Sequence, residues 1–437
     1  MNPVDKAEAL IEKGRHIHLM GIGGIGMAGI ANLLKQRGLH VSGCDLQANR
    51  QTEWLVARGI SIDVGHRAEH IDFSVDWVIR STAVDDVHPE ITRARELGIP
   101  VSRRGEVLPA LMRARTSIAV CGSHGKTTTT SIIAQLLGCG YCIGGEIEGF
   151  EGVALDGDIM VVEADESDGT LVGYTPDYAV ITNIEYDHME HHASEAAFIG
   201  CFEQLVSNTQ KKVFYCENDP VSNRLFAMNP KCEPFSFPSE NFPVKLHGRH
   251  NQWNAAAAFA VARLFRQEDE LLERMGMVKP VARRFETVME REGIRIISDY
   301  AHHPTEITAL IQTAKELEPK RLFGVFQPHR YTRTLALGEA FPPSFEGLER
   351  LWLLPVYAAS EKPLEGGTAD DLAQRFPEGW RQRLFQSSSM EEAWNAICRE
   401  LRTGDCLLII GAGDIACMAE WARKWCPGEG SNLRPQD

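Results

Sequence analysis

Short apolar runs that end in glycine or polar residues recur along this chain, each followed by a helix-like stretch. The runs lie at 16–20, 75–79, 118–120, 159–162, 178–181, 294–297, 322–326, 351–354 and 406–410. Strand–helix alternation at this spacing predicts α/β units built on parallel sheets. In such sheets ligands sit beyond the carboxyl ends of the strands. Here those ends carry the polar, Gly-rich and His-rich clusters, which points to binding rather than scaffolding. There is no internal repeat and no low-complexity tract.

Three blocks follow from the pattern: 1–113, 114–280 and 281–437. The first closes with a helix-like stretch at 106–112. The second runs from the strand at 118–120 to an Ala-rich helix at 254–265, with a charged stretch at 266–279 leading to Pro280. The third ends in a polar tail, 427–437, expected to fray.

Composition narrows the class. With 437 residues, 43% hydrophobic and 24% charged, the chain has material for several cores, which excludes global disorder. Lys and Arg total 45 against 60 Asp and Glu, a formal charge of −15. Such a chain is a poor sheath for nucleic acid or an anionic membrane surface, though locally converging basic residues can still bind an anionic small molecule. No apolar run approaches the ~20 residues of a membrane span, so no membrane insertion is expected. The charged segment 1–16 has no apolar core and does not read as a secretory signal. Eleven cysteines without framework spacing suggest reduced thiols in a cytoplasmic protein. Cys139 and Cys142 form one CxxC with no second pair nearby, so neither a zinc nor a redox site is expected there.

The run at 16–20 leads into GIGGIGMAG, where Gly21, Gly23 and Gly26, with Gly24 between them, fit G-x-G-x-x-G. A helix is predicted over 27–37, then a strand over 39–43 and Asp45. Glycines let backbone approach a pyrophosphate at a helix N-terminus, and an acidic residue at this distance suits a ribose hydroxyl. The signal supports a diphosphate-linked nucleoside in general. A dinucleotide oxidoreductase and a ligand-free tight turn remain competing readings. Arg103 and Arg104 either supply local positive charge or sit in a solvated loop.

The run at 118–120 leads into CGSHGKTTTTSII. Gly122, Ser123, His124, Gly125, Lys126, Thr127 and Thr128 form a phosphate-loop pattern, with backbone N–H groups to cradle phosphates, Lys126 for the outer phosphates and the Thr127 hydroxyl for Mg2+. The strict pattern fails, because Val120 occupies its first Gly position. A surface loop with a solvated lysine is the bland alternative. The next strand ends in Glu163, followed by Asp165, Glu166 and Asp168. A carboxylate there can complete a Mg2+ site, but four acids so close cannot all be ligands, and the others are expected in solvent or in ion pairs. After the run at 178–181, Asp187 and His188 are candidates for the metal or the γ-phosphate. His188, His191 and His192 lack zinc-site spacing, so zinc is not expected there.

In this order, GIGGIGM, GSHGKTTTT, EADESD and TNIEYDHM resemble the Mur ligases, ATP-dependent enzymes of peptidoglycan precursor synthesis. GRHNQWNAAAA, RRFE, SDYAHHPTE, FQPHRYTRT and IIGAGDI extend the resemblance over nearly the whole chain. It implies an α/β fold of three domains: an N-terminal Rossmann-like UDP-sugar domain, a central P-loop-type mononucleotide-binding parallel sheet for ATP and Mg2+ (or Mn2+), and a C-terminal Rossmann-like domain that closes over the site and admits the amino acid. The motifs are most similar to the branch that joins L-alanine to the lactyl carboxylate of UDP-N-acetylmuramate through an acyl phosphate. Its substrates would be UDP-N-acetylmuramate, L-alanine and ATP, with no nucleic acid.

Site roles follow from the same resemblance. Gly21, Gly23, Gly24, Gly26, Asp45, Ser81, Thr82 and Arg104 would face the UDP-sugar. Gly122 to Thr128, Asn251, Asn254, Arg284 and Asp299 would serve ATP, with Arg283 beside Arg284. Thr127, Glu163 and His188 would form the metal site. Tyr300, His302, Arg330 and Arg333 would hold L-alanine, the guanidinium groups matching its carboxylate. Lys126, His188, His302 and Arg330 would be catalytic, with His302 an orienting group or base. His303 and His329 have an equally good reading as satisfiers of local backbone, and Gly411 to Asp414 read as an ordinary turn.

Departures from the family pattern are a short overall length, a compact 141–159 and a stretch at 213–246 that lacks expected strands. Ala301 stands where glycine is frequent, and no Lys occurs over 189–210, so no carbamylated lysine is expected. The competing functions are a recycling ligase that adds a peptide to UDP-N-acetylmuramate, the oxidoreductase above, and a non-catalytic UDP-sugar sensor.

Overall fold

A computed structural model describes residues 2–166, 169–186, 192, 194–359 and 361–426. Three sheets define three α/β domains. The first comprises β1 (His16–Met20), β2 (His40–Asp45), β3 (Ser61–Val64), β4 (Trp77–Arg80) and β5 (Val101–Arg103). Its order is β3-β2-β1-β4-β5 and all pairings are parallel. The chain reverses its direction of winding at β1, so the Gly-rich turn after that strand sits at the switch point.

The second sheet comprises β6 (Thr116–Cys121), β7 (Gly140–Cys142), β8 (Ala154–Leu155), β9 (Ile159–Glu163), β10 (Tyr178–Ile181), β11 (Lys212–Cys216) and β12 (Cys232–Phe235). The order is β12-β11-β10-β6-β9-β7-β8, parallel except for β8 against β7. β6 is flanked on both sides and wholly apolar at 118–120, as a strand covered on both faces must be. β12 carries Pro234, which lacks an amide donor and is tolerated because the strand is an edge. Within 213–246 the strands β11 and β12 are present, while 236–248, which leads to GRHN and is interrupted by Pro238 and Pro243, carries no regular element.

The third sheet comprises β13 (Glu286–Arg291), β14 (Ile294–Asp299), β15 (Arg321–Phe326), β16 (Arg350–Leu353), β17 (Leu384–Gln386) and β18 (Asp405–Ile410). The order is β13-β14-β18-β15-β16-β17, with only β13 antiparallel.

By packing, the chain forms two compact units, 1–246 with 251–281 and 247–250 with 282–437. The first two sheets share one unit because a continuous apolar core joins them, running from Leu33 and Leu34 through Cys142 and Ala154 to Met160. Polar contacts lock the same seam: Asn32 Nδ2 donates to the Ala154 carbonyl at 2.9 Å, and Arg37 pairs with Asp156 at 3.1 Å. All eleven cysteines are free, and Cys139 and Cys142 join no cluster of metal-ligand side chains among the described residues. No described helix is long and apolar enough to cross a membrane.

Candidate functional site

At the carboxyl end of β1, the N–H groups of Gly21 and Ile22 donate to the Cys44 carbonyl at 2.9 and 3.1 Å. The Gly23 N–H donates to Asp45 Oδ2 at 2.7 Å, so this carboxylate holds the turn in shape. A helix, Ile25–Gln36, starts immediately after Gly24. Ser81 follows β4 and lies against Gly21, while Thr82 is exposed beside it. Arg104 opens the helix Arg104–Arg113 and reaches over Gly26, where an added Cβ would stand 2.5 Å from its Nη1. It also pairs with Asp165 at 3.3 Å. Arg103 takes the solvated reading: its side chain is 59% exposed and only 3.7 Å from Asp86.

The phosphate loop follows β6. Gly125 caps the helix Lys126–Leu137 at φ +84°, a conformation that only glycine adopts freely, and a Cβ there would also stand 2.3 Å from Asn254 Oδ1. Asn183 braces the loop from β10, its carbonyl accepting from Ser123 N (3.1 Å) and its Oδ1 from His124 N (2.9 Å). Ser123 Oγ donates to the Glu185 carbonyl at 2.6 Å, and His124 Nε2 lies 2.9 Å from Glu185 Oε2. Thr127 and Thr128 are buried in the first turn.

Lys126 Nζ donates to the Gly122 carbonyl and to Glu166 Oε1, both at 2.7 Å. Burial alone would lower this ammonium's pKa, but Glu166, Asp165 and Glu163 together hold it above the ordinary lysine range. The acidic run thus divides its work, with Glu166 on Lys126, Asp165 on Arg104 and Glu163 on Thr127.

The Thr127 hydroxyl donates to Glu163 Oε1 at 3.0 Å, and Glu163 Oε2 accepts from Gly144 N at 2.8 Å. A hydroxyl and a carboxylate oxygen side by side at the mouth of a phosphate loop are hard donors that fit Mg2+ or Mn2+. His188 lies outside the described residues, as do Asp168, Asp187 and His191. His192 is buried with Nε2 on the Glu166 carbonyl at 2.9 Å. On the helix Arg249–Ala262, Asn254 Nδ2 donates to Asn251 Oδ1 at 3.0 Å, and Thr129 Oγ1 donates to Asn254 Oδ1 at 3.3 Å.

In the second unit, polar residues gather beyond β14, β15 and β18. Asp299 ends β14, its two oxygens accepting from Phe285 N and Ala301 N, both at 2.7 Å. Burial raises its pKa above the usual carboxylate value, against the pull of Arg284 and these two N–H groups. The guanidinium carbons of Arg283 and Arg284 lie 4.8 and 5.1 Å from the Tyr300 ring centre. Arg283 also donates to the Gly411 carbonyl at 2.7 Å, so the turn after β18 positions an arginine.

Tyr300, His302 and His329 form a chain of rings with centres 5.5 and 5.9 Å apart. His302 Nδ1 sits 3.1 Å from the Tyr300 carbonyl and 3.4 Å from Glu306 Oε2. Arg333 is buried with Nη1 3.4 Å from His329 Nδ1. Arg330 takes φ +71°, strained for a non-glycine residue, and its N–H donates to the Tyr357 carbonyl at 2.8 Å. Tyr300, His302 and Arg333 thus gather around His329 beyond the third sheet, with Arg330 next to it in the chain. His303 takes its local reading, accepting from Thr305 N at 3.3 Å as the cap of helix Pro304–Lys315. His329 is the residue sequence reasoning left open: it stacks on Tyr357, and burial, then His302, Arg333 and Arg330, push it down to about 3, a neutral imidazole among cations.

The architecture of three α/β sheets is shared with known proteins. Residues 16–116 match the family described as Mur ligase family, catalytic domain, 150–242 the Mur ligase middle domain, and 283–413 the Mur ligase, glutamate ligase domain. The chain belongs to the Mur ligase family. A UDP-N-acetylmuramate--L-alanine ligase of Syntrophobacter fumaroxidans is 36% identical, covering 94% of this chain and 96% of its own. One of the same name from Carboxydothermus hydrogenoformans is also 36% identical, covering 93% and 95%. Among solved structures, the UDP-N-acetylmuramate-alanine ligase of Thermotoga maritima superposes with TM-score 0.79 at 27% identity, covering 94% of this chain and 98% of that one.

Proposed function

We propose that this chain joins L-alanine to the lactyl carboxylate of UDP-N-acetylmuramate, converting ATP to ADP and phosphate, in the cytoplasmic synthesis of peptidoglycan precursors. The observation that carries this reading is a phosphate loop holding Lys126 and the Thr127–Glu163 oxygens, in a chain that aligns nearly end to end with named L-alanine ligases. The functional division proposed is 1–113 for the UDP-sugar, 114–280 for ATP and metal, and 281–437 for the amino acid.

A carboxylate does not acylate an amine unaided, because oxide is a poor leaving group. In the proposed reaction the lactyl carboxylate oxygen attacks the γ-phosphorus, the bond to the β-phosphate oxygen breaks, and ADP leaves. The amine of L-alanine then attacks the acyl carbon, the tetrahedral intermediate expels phosphate, and the nitrogen loses a proton. Lys126 brings cationic charge to the phosphates and lowers the cost of joining two anions. Mg2+ or Mn2+ on Thr127 and Glu163, with His188 assigned by resemblance, would supply further charge neutralisation. Asn251 and Asn254 are assigned to adenine, Arg284 to phosphate and Asp299 to ribose. Gly21, Gly23, Gly24, Gly26, Asp45, Ser81, Thr82 and Arg104 are assigned to the UDP-sugar. Arg330 and Arg333 suit the L-alanine carboxylate, and Tyr300 and His302 its amine end, with His302 orienting it or taking its proton.

The test is phosphate release from ATP with Mg2+ and UDP-N-acetylmuramate, with and without L-alanine, the product being weighed by mass spectrometry. A product heavier by one alanyl residue is expected. Turnover with a tripeptide but not with L-alanine would move the chain to peptide addition and overturn the acceptor assigned here.

A further inference from the structure

A knot of ligand-type side chains lies inside the first domain, beside the Gly-rich turn but made of residues assigned to no substrate. His18 comes from β1, Cys44 from β2, His66 and His70 from the segment after β3, and Glu90 from the helix Pro89–Glu96. Glu90 has no solvent-exposed side-chain surface, although it is a carboxylate. Its Oε1 lies 2.6 Å from His70 Nδ1 and its Oε2 lies 3.1 Å from His66 Nδ1. Cys44 Sγ is 3.4 Å from both Glu90 oxygens and 3.4 Å from His18 Nε2. The ligand atoms of His18, Cys44, His70 and Glu90 all lie within 4.8 Å of one another.

A tetrahedral zinc ion with Zn–S of ~2.3 Å and Zn–N or Zn–O of ~2.0–2.1 Å sets its ligand atoms roughly 3.3–3.6 Å apart. Cys44 already stands at that spacing from His18 and Glu90, whereas His70 Nδ1 and Glu90 Oε1, 2.6 Å apart in a hydrogen bond, would have to part for both to ligate one ion. We propose that His18, Cys44, His70 and Glu90 form a structural site for one divalent transition metal, with zinc the ion that best suits a thiolate, two imidazoles and a carboxylate. His66 would then steady the second oxygen of Glu90 from outside the ligand set.

The donor set suits a cation: a carboxylate with no exposed surface stands beside a buried thiol and imidazoles. On binding, the S–H bond breaks, a sulfur–metal bond forms and the proton leaves to solvent, with no change of oxidation state. Two ligand anions then meet two positive charges in a buried place. Four protein ligands leave no open coordination position, which marks a structural role rather than a catalytic one. That role has a direction: the Cys44 carbonyl accepts from Gly21 and Ile22, so a metal on Cys44 anchors the Gly-rich turn. The ligands come from four elements widely separated along the chain, so no short spacing motif announces them.

The experiment uses the full chain, stripped with chelator and titrated with Co2+ or Zn2+ alone, in excess Mg2+ and without nucleotide. One equivalent of Co2+ is expected to give tetrahedral d–d bands and a thiolate-to-cobalt charge-transfer band, and Zn2+ is expected to abolish both. Cys44→Ser should lose the charge-transfer band, with affinity falling by more than the roughly 10–100-fold seen when an outer-shell partner is lost. Glu90→Gln should weaken binding and keep the band, which preserves the test if Cys44→Ser does not fold. Absence of a thiolate band in the unsubstituted chain, or its survival in a folded Cys44→Ser variant, would overturn the proposal.

Discussion

Lys126 Nζ lies 2.7 Å from Glu166 Oε1, and the Glu166 side chain has no exposed surface. The ammonium assigned to ATP phosphates is therefore already committed to a buried carboxylate. Such a pair is costly to break from one side, because the remaining charge stays buried and uncompensated. Glu166→Gln is expected to destabilise the nucleotide-free protein, by up to about 3 kcal/mol. Phosphate can replace the missing negative charge, so ATP should raise the melting temperature more in the variant than in the parent. Equal ATP-induced shifts by calorimetry would show that Lys126 does not exchange Glu166 for phosphate. Lys126→Ala should abolish ligation while UDP-sugar binding, measured by titration calorimetry, stays nearly unchanged.

The Thr127–Glu163 oxygens, proposed above to hold the metal, are 3.0 Å apart. Glu163→Gln keeps a hydrogen-bond acceptor for Thr127 and removes one ligand charge. The Mg2+ concentration giving half-maximal ATP turnover should rise at least tenfold, which corresponds to about 1.4 kcal/mol. An unchanged Mg2+ requirement would take Glu163 out of the metal site.

Arg104 and Gly26 form a second testable pair, since a Cβ on Gly26 would stand 2.5 Å from the guanidinium. Gly26→Ala should push Arg104 aside, and Arg104→Ala should remove it. Both are expected to raise the KM for UDP-N-acetylmuramate while leaving that for ATP alone. Because they act through one group, the double variant should be no worse than the more damaging single one. Additive losses would separate the two residues.

What the sequence reveals and what it conceals have physical reasons. The continuous apolar runs became the inner strands, such as β6, β10 and β18, because a strand covered on both faces must be apolar. Edge strands lack that requirement: β3 is largely exposed, β8 spans only Ala154–Leu155 and β12 contains a proline, so none leaves a clear run. The phosphate loop was legible because backbone geometry forces glycine at Gly125. Pairings between distant segments were not, and Arg104 over Gly26 or His329 on Tyr357 left no local signal. Nor does a Gly-rich motif disclose that Asp45 accepts from Gly23 N.

His329 carries the pH prediction. Burial first, then the charges of His302, Arg333, Arg330 and Arg283, push it down to about 3 from an ordinary 6.5. The unfolded chain therefore binds a proton that the folded chain refuses between these values. Stability rises with pH wherever the unfolded state holds more protons, so this contribution is complete above about pH 6.5 and is lost as the pH falls toward 3. One such group gives a slope of up to about 1.4 kcal/mol per pH unit. His329→Asn removes the titrating group. Its unfolding free energy should fall less steeply between pH 6.5 and 5 than that of the parent, whatever the offset at pH 8. Parallel curves in denaturant titrations at each pH would mean that His329 is protonated in the folded state, and the neutral imidazole among the neighbouring arginines would have to be abandoned.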